Sequence, residues 1–189
     1  LSLMEYSAGN LSEPHALCIR LHLDKCSHCR SRVDTLDSLG AVMMEHQPKV
    51  SVSESMFDSI LSKIDSEPTD EAVATPTPRV GALQKLLGED LNSLPWKRQL
   101  GDVSVLDITD RVPGQKEQAV LQKLAAGGKA PAYPHRGEET TIVLQGAFAD
   151  QQGVFNQWDF VVLNDEDEHK PVAVGCEDCI TLSVLSAPV

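Results

Sequence analysis

The sequence predicts a multi-domain α + β protein, a small N-terminal helical bundle followed by an all-β barrel of jelly-roll type. Three observations carry that reading. Apolar residues recur at helical spacing over the first 65 positions, a Pro/Thr/Glu/Ala-rich stretch then interrupts every periodicity, and the remainder alternates with a period of two in short runs separated by Gly, Pro and Asp. The boundaries expected from the pattern are a helical domain over 1–65, a linker over 66–82 and a barrel over 83–189.

Each element has a local cause. Ser12 before Glu13 and Pro14 makes a helix start, with Ser12 as N-cap and Pro14 in the first turn, and Leu17 and Leu21 continue the apolar face. A second helix is expected to open at Asp24, with Val33, Leu36, Leu39, Val42 and Met43 as its stripe. A third follows Ser51 or Ser53, where Val52, Met56, Ile60 and Ile64 repeat in four-residue steps beside Phe57 and Leu61. That stripe is broad enough to need a cover, either within the bundle or from a partner laid against it. The stretch "SEPTDEAVATPTPRV" offers no apolar face and reads as a linker. Strands are expected at "VSVLDI" (103–108), "AVLQKLA" (119–125), "TTIVLQGAF" (140–148), "WDFVVL" (158–163) and "CITLSVL" (179–185), a spacing typical of closed or double-sheet β architectures.

Bulk composition narrows the function. The 189 residues carry a net charge of −12, and 41% are apolar against only 4% aromatic. Neither half has a basic patch, which argues against direct nucleic-acid binding and suits a basic protein partner. No apolar run approaches the roughly 20 residues of a membrane span, and the start lacks a signal-peptide pattern. The 5 cysteines include two CxxC pairs, which in such a setting point to metal or redox chemistry rather than to a disulfide framework.

"HLDKCSHC" places His22, Cys26 and Cys29 together at the expected corner between two helices. Zn²⁺ takes thiolate and imidazole ligands tetrahedrally, and an ion here would pin the corner of a domain with a small core. A redox CxxC normally follows a strand in a βαβ unit, which is absent here, and fortuitous thiols are the remaining alternative. Cys18 reads as a core residue. His15 and His28 are possible stand-ins for a fourth ligand, although both read as surface histidines. These residues resemble a known signature. "HLDKCSHCR", within "YSAGNLSEPHALCIRLHLDKCSHCRSRV", is similar to the His-x3-Cys-x2-Cys pattern of zinc-binding anti-sigma domains. That resemblance implies a fourth histidine ligand upstream of Leu1, and the chain does indeed start without Met.

A second constellation lies in the barrel. "YPHRGEETTIVLQGAF" resembles the first cupin motif, with Tyr133 standing where the motif has a histidine, then His135, Glu139 and Gly146 at the motif's spacing. His169 resembles the later histidine of the second motif, without the usual Pro-x-Gly before it. The resemblance implies a site for Zn²⁺ or another divalent metal built from His135, Glu139 and His169, and two imidazoles with a carboxylate suit such an ion. The alternative is a barrel that kept these polar residues without a metal. Glu138 is expected to face solvent, Cys179 to be a buried strand residue and Cys176 a turn thiol.

A zinc helical domain followed by a cupin is similar to the ChrR type of anti-sigma factor over nearly the whole chain. This resemblance implies a cytoplasmic regulator, not an enzyme. It would bind and inhibit an extracytoplasmic-function sigma factor through the zinc domain, and release it when the cupin senses singlet oxygen or an organic hydroperoxide. Val52, Met56, Phe57, Ile60, Leu61 and Ile64 are the candidate partner contacts. The competing expectation is a metal-dependent cupin enzyme, a dioxygenase or isomerase, with the helices as an accessory.

Overall fold

The computed structural model describes residues 2–66, 82–112, 117–131, 133–134, 137–164 and 168–186; for Ala82, Tyr133, Pro134, Glu168 and His169 only the backbone is described. The expected linker therefore lies almost entirely outside the described residues. The order is α1 (Ser2–Ser7), α2 (Glu13–Leu23), α3 (Ser27–Glu45), α4 (Glu54–Ser66) and α5 (Ala82–Leu87). Strands follow as β1 (Lys97–Leu100), β2 (Val103–Asp107), β3 (Gln118–Leu124), β4 (Tyr133–Pro134), β5 (Glu139–Gln145), β6 (Ala147–Ala149), β7 (Val154–Asn156), β8 (Phe160–Leu163), β9 (Glu168–His169), β10 (Val172–Val174) and β11 (Cys179–Leu185). The helical start at Ser12 and all five expected strands are present, several trimmed or split.

The barrel is built from a six-stranded antiparallel sheet in the order β1-β2-β3-β11-β5-β8, a three-stranded sheet β10-β6-β7 and the short pair β4-β9. Gly146, at φ 68°, ends β5 where a Cβ would sit 2.7 Å from the Asp178 carbonyl oxygen, so the turn needs glycine for both conformation and space. Strand alternation sorts side chains to two faces of the large sheet. Val103, Leu124, Val143 and Cys179 pack with Phe148, Val161, Leu163 and Ala173 between the sheets.

The opposite face is also buried, and this is what positions the functional residues. Leu121, Ile142, Leu144, Ile180, Leu182 and Val184 share one apolar cluster with Leu17, Cys18 and Leu21 of α2. Strands β5 and β11 are accordingly buried on nearly every residue instead of alternately. Helix α2 thus lies across the outside of the barrel. His15, expected at the surface, is 6% exposed, with Nδ1 2.8 Å from Thr140 Oγ1 of β5.

Two further expectations about the helices need correction. The second long helix opens at Ser27, not at Asp24. Asp24 caps α2, Cys26 is the extended N-cap of α3, and both Lys25 and Cys26 donate their amides to the His22 carbonyl at 2.9 Å. The α3 stripe is covered only at its start, since Val33 is buried while Leu39, Val42 and Met43 are exposed. The α2–α3 corner itself packs Ile19, Leu23 and Val33 with Leu3, Tyr6, Leu11 and Phe160.

Candidate functional site

The α2–α3 corner brings His22, Cys26 and Cys29 together. One ring nitrogen and the two sulfurs all lie within 4.8 Å of one another, the one such donor group among the described residues. Each position follows from the local chain. His22 stands on the last turn of α2, Cys26 at the N-cap of α3 and Cys29 in its first turn. The backbone N–H of Cys29, followed by smaller contributions including that of His28, lowers the Cys26 pKa, as expected for a thiolate at a helix N-terminus. Partial burial, followed by its hydrogen bond and charge interaction with Cys26, raises that of Cys29.

His22 supplies the observation that tests whether a metal fits. Its Nδ1 lies 2.6 Å from the carbonyl oxygen of Trp158, in the turn that leads into β8. A carbonyl only accepts, so Nδ1 carries the ring proton and Nε2 presents a lone pair. Nε2 is buried without a hydrogen-bond partner, a situation that costs about 1–3 kcal/mol when nothing compensates it. A Zn²⁺ ion held at about 2.0–2.3 Å by imidazole and thiolates would satisfy that lone pair, and tetrahedral ligands at such bond lengths sit roughly 3.5–4 Å apart. The residues fit the ion. Phe160 closes one side with its ring edge-on to His22, centroids 5.0 Å apart, and Lys25 Nζ lies 5.3 Å from the Trp158 ring centroid.

Of the barrel constellation, His135 lies outside the described residues, while the backbones of Tyr133 and His169 are paired directly across β4 and β9. Glu139 is buried inside the barrel at 1% exposure, and Glu138 is exposed as expected. A chain of donors leads to the Glu139 carboxylate. Gln122 Nε2 reaches Ser183 Oγ at 3.5 Å, Ser183 Oγ and Thr141 Oγ1 are 2.7 Å apart, and Thr141 Oγ1 donates to Glu139 Oε1 at 2.7 Å. Sequence reasoning missed Thr141, Ser183 and Gln122, as it missed Trp158 and Phe160. The period of two places Thr141 on the face of Glu139, but only the β5–β11 and β3–β11 registers bring Ser183 and Gln122 to it.

Two of the other cysteines are buried thiols. Cys18 is fully buried and desolvation pushes its thiol up to about 12; burial, with Glu177 adding, does the same to Cys179. Cys176 is exposed in a bend. The apolar stripe of α4 is left bare, with Val52 lying just ahead of the helix. Val52, Met56, Phe57, Ile60, Leu61 and Ile64 are all exposed, Val52 and Phe57 at 68%.

Comparison with known proteins places these features. The model of the ChrR cupin-like domain matches residues 86–187. The anti-sigma-E factor ChrR of Cereibacter sphaeroides is 35% identical over 189 residues, covering 99% of this chain and 87% of that protein. The chain belongs to the ChrR family. The crystal structure of Rhodobacter sphaeroides SigE in complex with the anti-sigma ChrR shows the same architecture, with a TM-score of 0.79 and 34% identity over 97% of this chain and 95% of that one. The ChrR relatives are regulators rather than enzymes, so the enzymatic expectation gives way to a regulatory one. Among the described residues no helix is long and apolar enough to cross a membrane.

Proposed function

We propose that this protein is an anti-sigma factor that binds and inhibits an extracytoplasmic-function sigma factor through its N-terminal helices, with Zn²⁺ held by His22, Cys26 and Cys29. The reading rests on kinship with ChrR, which carries the anti-sigma name and is found in complex with SigE. The observation that carries it in this chain is the buried, unpartnered Nε2 of His22 beside two cysteines at a helix corner. An ion there supplies a rigid crosslink between α2 and α3. The bare stripe of α4, together with the exposed Leu39, Val42 and Met43 of α3, is the apolar surface on which the sigma factor docks. The acidic balance of the chain complements a basic, DNA-binding client.

The barrel is the sensing half in this proposal, responding to singlet oxygen or an organic hydroperoxide. Its divalent metal site would use His135, Glu139 and His169, with Thr141 and Ser183 orienting the carboxylate from behind. Co-expression with a cognate sigma factor tests the proposal. The pair should copurify with zinc, and His22→Ala or Cys26→Ala should abolish both metal and pairing. Glu139→Ala should leave pairing intact and blunt release under oxidant. Pairing that survives loss of the N-terminal zinc would refute the role given to the metal.

A further inference from the structure

The zinc reading leaves Trp158 unexplained, and it is unusual in three independent ways. At φ 74° it is the single non-glycine residue in the left-handed region among the described residues, a conformation disfavoured for a bulky side chain. Such strain persists only where neighbours over-determine it, and it concentrates at working sites. Here both flanks of the turn are tied down. Trp158 N–H donates to the Val143 carbonyl at 2.8 Å, Val143 N–H to the Asp159 carbonyl at 3.0 Å, Asp159 N–H to the Asn156 carbonyl at 2.9 Å and Asn156 N–H to the Asp159 carboxylate at 2.8 Å. The carbonyl that this turn presents points away from the barrel onto His22 Nδ1, 2.6 Å away, while the opposite ring nitrogen is the buried and unpartnered one.

We propose that Trp158 is a positioning residue for the N-terminal metal centre: its backbone carbonyl, delivered by a strained turn of the barrel, fixes the tautomer and orientation of His22 so that Nε2 faces Cys26 and Cys29. Metal-binding histidines depend on such a partner on their second nitrogen. In this chain the partner comes from the other half of the molecule, about 136 positions along the sequence. Zinc retention is thereby coupled to the seating of α2 on the barrel. A barrel that shifts against α2 withdraws the acceptor from Nδ1 and loosens the ion; conversely, loss of the ion frees His22 and weakens that seat. The inference rests on the zinc reading above and adds to it a physical link between the two halves.

The test compares two substitutions in the zinc-loaded full chain, by competition with a chromogenic zinc chelator. Trp158→Gly removes the indole but enters the left-handed region freely. Trp158→Val also removes the indole but, being β-branched, resists that conformation and turns the carbonyl away. The valine variant should hold zinc about 10- to 100-fold more weakly, the usual effect of losing such a partner, and the glycine variant should stay within a few-fold of the parent. Equal weakening in both would assign the effect to the ring, and no weakening in valine would remove the contact from the centre; either overturns the proposal. A long-range ¹H–¹⁵N correlation spectrum of the parent chain is independent of any variant's folding. It should show His22 metal-bound through Nε2 with a protonated, slowly exchanging Nδ1, and binding through Nδ1 would overturn the assignment. A parent chain that takes up no zinc would instead refute the metal reading itself, before any variant is compared.

Discussion

At the scale of single residues, two histidines carry polar contacts between α2 and the barrel, beside the Cys18 Sγ–Thr140 carbonyl contact at 4.0 Å. His22 faces Trp158, and His15 faces Thr140 seven positions earlier on the same side of α2. His15 titrates in a consequential way. Burial lowers its pKa below the ordinary imidazole value of 6.5, and nearby Glu138 and Glu117 oppose this to a smaller extent. The folded chain therefore binds this proton less readily than the unfolded one, and stability rises with pH across the interval between the two values. The contribution of neutral His15 is fully present above about pH 6.5 and is lost as the pH falls toward the folded-state value. Urea midpoints measured at pH 7.5 and pH 5.5 should fall more for the parent chain than for His15→Gln, whose side chain carries no titratable group. An equal fall in both would show that His15 plays no part in the acid sensitivity.

At the scale of elements, α3 and α4 expose what isolated helices in a globular protein normally cover. Val52, Met56, Phe57, Ile60, Leu61 and Ile64 contribute nothing to the described core, so polar substitutions there cost the fold little. Paired Phe57→Asp and Ile60→Asp should abolish capture of the sigma factor while shifting the urea midpoint by less than the equivalent of about 0.5 kcal/mol per site. Undiminished capture would move the docking surface elsewhere. The existence of these helices was legible because a four-residue apolar repeat is a strong local signal. The strands were legible because alternation with a period of two is equally local, and the His22–Cys26–Cys29 cluster because its donors lie within one corner of the chain. What escaped was set by tertiary approach. Helix spacing gave no sign that α2 would bury His15 or that α3 would be bare beyond Leu36. Nothing local marks Trp158 for a left-handed turn, a conformation usually left to glycine. Similarly, Thr141 was readable as a neighbour of Glu139, whereas Ser183 reaches it only through the β5–β11 register.

At the scale of the whole molecule, the sequence suggests two halves in series, yet the largest apolar cluster spans both. Leu17, Cys18 and Leu21 of α2 are packed with Ile142, Leu144, Ile180 and Leu182 of the sheet, so removing α2 would uncover the outer face of β5 and β11. A corner of helices whose own cluster has, among the described residues, Ile19, Leu23 and Val33 as buried members is too small to be stable by itself. Its stability is borrowed from the barrel and, in the proposed zinc-bound form, from the ion as well, so that what loosens the barrel would loosen the proposed docking surface. Leu21→Ala puts this to the test. The side chain is 3% exposed within the shared cluster, and truncation should cost about 2–5 kcal/mol. In urea titrations the two tryptophans, Trp96 and Trp158, both packed against that cluster, report on the barrel and its seam with α2, while far-ultraviolet circular dichroism reports on the helices. Both signals should move to lower urea by the same amount, as for a single cooperative unit. If the helical signal alone moves, the halves unfold independently, and the barrel has no thermodynamic hold on the proposed docking surface.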